Sequence, residues 1–556
     1  MPGAMARVRE PAPGPDEGRR AMMKTVLGVL SVGLAAALGA TAAAQTPVRG
    51  GSLTYTYHPE PTAMSTVSTT AVPVALVATK IYDSLLEWEG AEMKPVPGLA
   101  ASWTRSDDGR TWTFKLRDGV KWHDGQPFTS ADVKFSVENI AKAYHSRGRA
   151  HFGDVEAVET PDKSTVVFRL KAPVPYFIKA FQPTETPMLP VHKFAGVDLA
   201  SAAAVRQAEV ITRAPVGTGP FKLKEWQRGS HIILERNPDY WREGRPYLDQ
   251  IILRVLPDGA ARAIAFEKGE VDLAPQSALP EAELQRLGKL PGVVTSSAGT
   301  EALGPNLWLE VNLREPPLSD VRVRRAISMA LDRSRIIDVI WYGYGKPGIG
   351  PIVSSDPNFF NKALKPYAYD PKKAGELLDE AGYKRGSDGV RFRITQNVLP
   401  YGENWTRLGE YVKQELSKLG IAVDTRSADL AGWLKTVYTD YNFHITSTFQ
   451  HNYSDPTIGI ERSYHSANIR PGAAFQNSMG YKNARVDQLF DLSKRELDPA
   501  KRKAQFDELQ QIIHDEQPVI YLLEMQYVHL FHKRVHGLIS NGISMYSNWA
   551  NVWKEK

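Results

Sequence analysis

Cysteine is missing from all 556 residues. That excludes disulfides, thiolate metal sites, cysteine nucleophiles and a lipid-anchored N-terminal cysteine. Beyond residue 44, no stretch approaches the ~20 apolar residues of a membrane-spanning helix. GxSxG, HExxH and GxxxxGK[ST] are also missing, so the commonest hydrolase, zinc-protease and phosphate-loop chemistries have no foothold. Lys and Arg exceed Asp and Glu by six, but no basic run gathers the excess. Nucleic-acid contact needs such clustering, so no nucleic-acid partner is expected.

What is present points to an exported protein of more than one lobe. Single cores rarely grow past ~250–300 residues. Residues 25–44, TVLGVLSVGLAAALGATAAA, follow basic residues and end in Ala42-Ala43-Ala44. Basic, apolar, then A-x-A is the layout of a cleavable secretory signal, with cleavage expected after Ala44. Gly18-Arg19-Arg20-Ala21-Met22-Met23-Lys24 resembles a twin-arginine motif. A start at Met22 or Met23 would leave an ordinary secretory signal instead. Both routes place the mature chain in the periplasm.

The mature chain alternates strand and helix patterns. GGSLTYTYH (50–58) reads as a strand. SWTRSDDGRTWTFKLRDGVKWHDGQPF (102–128) reads as a β-meander turning at three Asp-Gly pairs, with Trp103, Trp112, Phe114 and Trp122 on strands. Thr129 with Asp132 has the spacing of a capping box. SDVRVRRAISMALDRSRIIDVI predicts one long amphipathic helix capped by Ser319 or Asp320. Its arginines at 322, 324, 325, 333 and 335 read as a solvated face. Pro371 and Gly382 bracket another helix. Strand–helix–strand alternation over 305–450 indicates an α/β lobe.

These segments resemble the periplasmic solute-binding proteins of ABC transporters, family 5, the dipeptide-, oligopeptide- and nickel-binding group. The resemblance runs from about residue 50 to the end. It is carried by GGSLTY, IYDSLLEWEG, LRDGVKWHDGQPFTSADVKFS, PVGTGPFKLKEW, NPDYWREGRPYLDQI, RAIAFEKGEVDL, VRRAISMALDR, YDPKKAGELLDEAGY and the DPT of 455–457, in that order. It implies an α/β, two-lobed clamp with lobe I over 45–307, lobe II over 308–525 and a return to lobe I over 526–556. An extra subdomain is expected over about 81–212. It also implies a monomer without cofactor that hands a peptide or similar amine-bearing solute to an inner-membrane ABC permease.

In peptide-binding relatives, the Asp of a D-P stretch holds the ligand's amino group, and Asp455 matches it. The rival reading is that Asp455 caps a helix starting at Pro456. Those relatives also place an arginine before a P-Y pair to hold the ligand carboxylate. Leu399 stands there, ahead of Pro400-Tyr401, which suggests a peptide longer than a dipeptide or a non-peptide solute such as a metal chelate, opine or sugar derivative. Further lining candidates are Tyr57, His58, Tyr401, Trp433, Gln450, His451, Asn452 and Tyr453, with Asn404 and Trp405 behind them. His529, His532 and His536 invite a metal reading, but strand alternation puts the first on the opposite face from the others. Asp455 and Glu461 could serve hydrolysis, though nothing singles them out as a pair.

Overall fold

Two mixed β-sheets organise the chain. The structure is a computed structural model and describes residues 46–453 and 455–556. The export signal expected over residues 1–44 lies outside the described residues.

The first sheet has seven strands in the order Val293–Ser296, His529–His532, Leu273–Ala274, Ser52–Thr56, Gln250–Arg254, His231–Arg236, Phe221–Gln227. Ser52–Thr56 runs parallel to Gln250–Arg254, with Leu53 beside Ile251 and Tyr55 beside Leu253. The second sheet has six strands in the order Gly345–Pro347, Val519–Met525, Pro305–Val311, Ile445–His451, Phe392–Asn397, Ile421–Arg426. The chain enters it after Ser296 and leaves it after Met525, regaining the first sheet at His529. The result is a two-lobed α/β clamp.

Every residue of Pro305–Val311 is buried, because helices cover both faces of its sheet. Side chains alternate across a strand. Leu307, Leu309 and Val311 therefore join one apolar cluster, while Trp308 enters another with Tyr464, Phe490 and Phe506. The first lobe has its own cluster. It runs from Leu53 and Tyr55 into a four-stranded sheet where Phe114, Phe168, Phe177 and Phe181 pack edge to face.

That four-stranded sheet corrects the meander. Its order is Ala100–Arg105, Thr111–Leu116, Thr165–Leu170, Val155–Asp162. The third strand comes from 50 residues downstream, and the Trp122 region contributes only an isolated Lys121–Pro127 bridge. The capping box forms, with the Thr129 N–H donating to Asp132 Oδ2 at 2.9 Å.

The long helix after residue 319 is broken. Val321–Ala330 ends at an extended Leu331, and Asp332 caps a new start by accepting from the Ser334 and Arg335 N–H groups. Asp competes with helical bonding in mid-helix and favours caps. Two of its arginines are not solvated. Arg324 and Arg333 are each 6% exposed. Arg324 donates to the carbonyls of Leu318, Ser319, Glu516 and Gln517, and so ties off the C-terminal end of the helix Pro499–Glu516. Arg333 does the same for Ser328, Tyr367 and Tyr521. A guanidinium offers five donors, enough to satisfy several orphaned carbonyls.

Candidate ligand-binding site

Where the lobes meet they enclose about 850 Å³ of atom-free space, part of it open to solvent. Arg147, Lys179, Glu185, Gln276 and Tyr546 line it from one side, and His451, Tyr453 and Ile458 from the other.

The second lobe's wall is built by one strand and the turn after it. Ile445–His451 pairs with Pro305–Val311. Alternation then separates the run that follows. His451 and Tyr453 face the cavity. Gln450 turns away, donating to the Phe475 carbonyl at 3.2 Å. Asn452 also turns away, donating to the Pro351 carbonyl at 2.8 Å and accepting from the Val353 N–H at 3.2 Å. The turn closes tightly: a Cβ on Gly459 would lie 1.9 Å from the Asn452 carbonyl oxygen. Tyr453 has φ 53°, the left-handed region a tyrosine rarely enters. Such strain persists where surrounding structure enforces it, often at ligand sites.

Asp455 is committed to the fold. It caps Pro456–Gly459 by accepting from the Thr457 N–H at 3.0 Å. Arg502 grips both its oxygens, at 2.7 and 2.8 Å. The carboxylate is buried and does not line the cavity.

Glu185 is the carboxylate in the cavity wall. Arg147 donates to it twice, and the His151 ring stands 2.9 Å away. Burial pushes its carboxyl up, but Arg147 and His151 outweigh that and hold it well below the usual range. Arg147 also lies over the Tyr453 ring, 4.6 Å from its centre, and donates to its hydroxyl at 3.3 Å. This contact joins the lobes across the cavity. Nearer the surface a second contact joins them, from Arg495 to Asp154 at 2.7 Å. His451 shares a 2.9 Å hydrogen bond with the Tyr527 hydroxyl. Burial, then Arg462 and Arg147, push it down to about 3, so it is neutral at physiological pH. Burial lowers Lys179 to about 8, with Asp455 and Asp356 opposing.

The other expected lining residues lie apart from this cavity. Trp433 is core, its indole donating to Thr446 at 3.1 Å. Tyr401 is 45% exposed and packs edge-on to Trp405 and Phe449. Tyr57 is buried, and His58 is exposed. Leu399 is fully buried in the second lobe's core. His529 accepts from the Gln276 N–H, His532 stacks on Phe266, and His536 stacks on Trp553. Among the described residues, no group of three or more His, Cys, Asp or Glu is placed to hold a metal.

Arg147, His151, Lys179, Glu185, Gln276 and Tyr527 escaped sequence reasoning. They sit in HSRGRAHFG, FIKAFQPTE, LAPQS and EMQYV, none of which carries a spacing tied to chemistry.

Residues 94–471 match the bacterial extracellular solute-binding proteins, family 5 Middle. The oligopeptide-binding protein AppA of Bacillus subtilis (strain 168) is 28% identical over 524 residues, spanning 90% of this chain and 92% of AppA. The glutathione-binding protein GsiB of Escherichia coli (strain K12) is 28% identical over 475 residues, spanning 83% of this chain and 86% of GsiB. The ABC transporter-associated periplasmic binding protein DppA from Helicobacter pylori, solved in complex with the peptide STSA, superimposes with a TM-score of 0.76 at 26% identity. That alignment covers 92% of this chain and 99% of DppA. With a match over well more than half its length, and a two-lobed clamp enclosing a cavity, the chain belongs to the family 5 bacterial extracellular solute-binding proteins.

Proposed function

We propose that the chain is the periplasmic substrate-binding component of an ABC importer. It captures a peptide or peptide-like solute between its lobes and presents the closed form to a membrane permease. The observation that carries this reading is the cavity walled by both lobes, with Arg147 reaching across it to Tyr453. A solute touching both walls favours the closed arrangement by its differential contacts, and the permease then has a distinct state to recognise.

Leu399 leaves the usual carboxylate position without a cation, but this cavity has cations of its own. Catalysis is not part of the reading. The Glu185 carboxylate is saturated by Arg147 and His151 and held ionised, which suits it poorly to proton transfer.

Mass spectrometry of the solute released on denaturing protein purified from its native host, followed by calorimetry with a peptide library, tests this. A co-purified small solute or saturable peptide binding is expected. Neither would defeat the proposal.

A further inference from the structure

Two side-chain atoms of the described cavity wall are buried without a hydrogen-bond partner, Gln276 Oε1 and His151 Nδ1. Both stand on the first lobe, and both accept. The Gln276 amide nitrogen donates to the Tyr546 hydroxyl at 2.9 Å, which leaves its oxygen unmatched. Glu185 accepts from His151 Nε2, so in the neutral ring Nδ1 carries the lone pair.

The Gln276 oxygen is the better placed of the two, because everything around it fixes its position. Gln276 is 1% exposed and follows the strand Leu273–Ala274. That strand pairs with His529–His532, and His529 Nδ1 takes the Gln276 N–H at 3.0 Å. The chain then turns, with the Ala278 N–H donating to the Pro275 carbonyl at 3.0 Å. Ser277 sits inside this turn at φ 61° and also lines the cavity. Glycine is the residue such a turn favours. A strained turn held by a histidine therefore presents the glutamine, as ligand sites often do. An acceptor already held in place loses little entropy on binding.

A buried oxygen with its bond unmade costs free energy, and a solute N–H placed against it removes that cost. The cost falls on the empty cavity, so it favours the arrangement with solute inside. Gln276 Oε1 is covered in this structure, but the last torsion of a glutamine is soft enough to turn it toward an entering group. The group it suits is neutral. Glu185 is the one carboxylate among the lining residues, and Arg147 and His151 occupy it. Lys179 lines the same cavity as a cation, donating to the Met93 carbonyl at 3.1 Å and standing 4.6 Å from the centre of the Trp88 ring. No free negative charge on the wall matches an ammonium, and Lys179 opposes one. The Tyr546 hydroxyl, having accepted from Gln276, keeps its own proton for a solute oxygen. An acceptor beside a donor matches the N–H and C=O of a peptide unit.

We propose that Gln276 reads a peptide N–H of the solute through its side-chain oxygen, so that the cleft takes amides over esters of the same shape. This rests on the reading of the cavity as the solute site.

The test is calorimetry of the mature chain with Ala-Gln-Ala and its two ester analogues, each with one peptide N–H replaced by oxygen. One ester should bind at least about tenfold more weakly than the peptide. Gln276→Met should erase that difference by weakening the peptide and leaving the ester unchanged. Gln276→Glu, which keeps an acceptor oxygen, should retain it. If Gln276→Met does not fold, Gln276→Asn decides, since it withdraws the oxygen by one bond and should also erase the difference. Peptide binding with no penalty for either ester overturns the inference and leaves the solute-site reading standing, as does a penalty that survives Gln276→Met or Gln276→Asn. If neither peptide nor ester binds, the solute-site reading itself fails and the inference falls with it.

Discussion

Asp455 and Glu185 are the same chemical device in two settings. Each is a buried carboxylate gripped through both oxygens by one arginine. Asp455 and Arg502 are sealed inside the second lobe, with side chains 4% and 7% exposed. Glu185 and Arg147 stand in the cavity wall, at 9% and 15%. The sealed pair also caps a helix and bonds Thr457 and the Ser493 carbonyl, so its whole hydrogen-bonding capacity serves the fold. The wall pair keeps one face toward the cavity and touches the opposite lobe through Tyr453. Pairing alone therefore does not mark a ligand site. The surface the pair faces does.

The largest effect should come from breaking the sealed pair. Asp455→Ala leaves Arg502 buried without a counter-charge and removes a cap. The expected loss is about 3–5 kcal/mol of stability, read as the urea midpoint. Binding by the folded fraction should stay within about twofold, a few tenths of a kcal/mol, because the carboxylate does not line the cavity. Unchanged stability with lost binding would break the comparison and return Asp455 to the ligand.

Glu310 sharpens the comparison, since it is a buried carboxylate with no arginine gripping it. Burial pushes its carboxyl from 4.5 up to about 7, with the Ser478 hydroxyl hydrogen bond opposing. A folded value above the unfolded one means that the stabilised form is the protonated one. Its contribution is full below about pH 4.5 and is lost as pH rises to about 7. The gap corresponds to about 3 kcal/mol. The second lobe should therefore lose stability between pH 5 and 7, and Glu310→Gln should flatten that slope. An identical slope in the variant would show that other groups carry it.

Local chemistry was legible in the sequence, and long-range chemistry was not. The Thr129–Asp132 box and the Pro371 helix start follow from spacings of a few residues, and both form. Arg324 and Arg333 looked solvated because the carbonyls they satisfy lie up to 193 residues away. The third strand of the small sheet failed for the same reason. At the site, the residues from Gln450 to Asp455 read from sequence as one block, yet strand alternation admits His451 and Tyr453 and turns Gln450 and Asn452 away. For Asp455 the sequence supports a cap and a ligand anchor alike. Arg502, 47 residues on, settles how its oxygens are used. The Arg147–Glu185 pair had no signal at all, because its two members meet only through tertiary folding.

The smallest expected change in stability, and the most telling for function, is Glu185→Gln. Gln keeps one acceptor oxygen for Arg147 but removes the negative charge. Water reaches this wall, so the loss should be only about 1–2 kcal/mol, that of one charge-assisted hydrogen bond weakened. Arg147 then stands in the cavity wall over Tyr453 without a counter-charge. Affinity for an acidic tripeptide such as Ala-Glu-Ala should rise by about tenfold, roughly 1.4 kcal/mol, while affinity for Ala-Gln-Ala stays level. Stability and acid binding thus move in opposite directions at Glu185, whereas at Asp455 stability falls and binding holds. Calorimetry beside urea titration reads both. A Glu185→Gln variant that binds the acid more weakly would mean that Glu185 holds a cationic group of the solute, and the division between a structural and a ligand-facing pair would have to be redrawn.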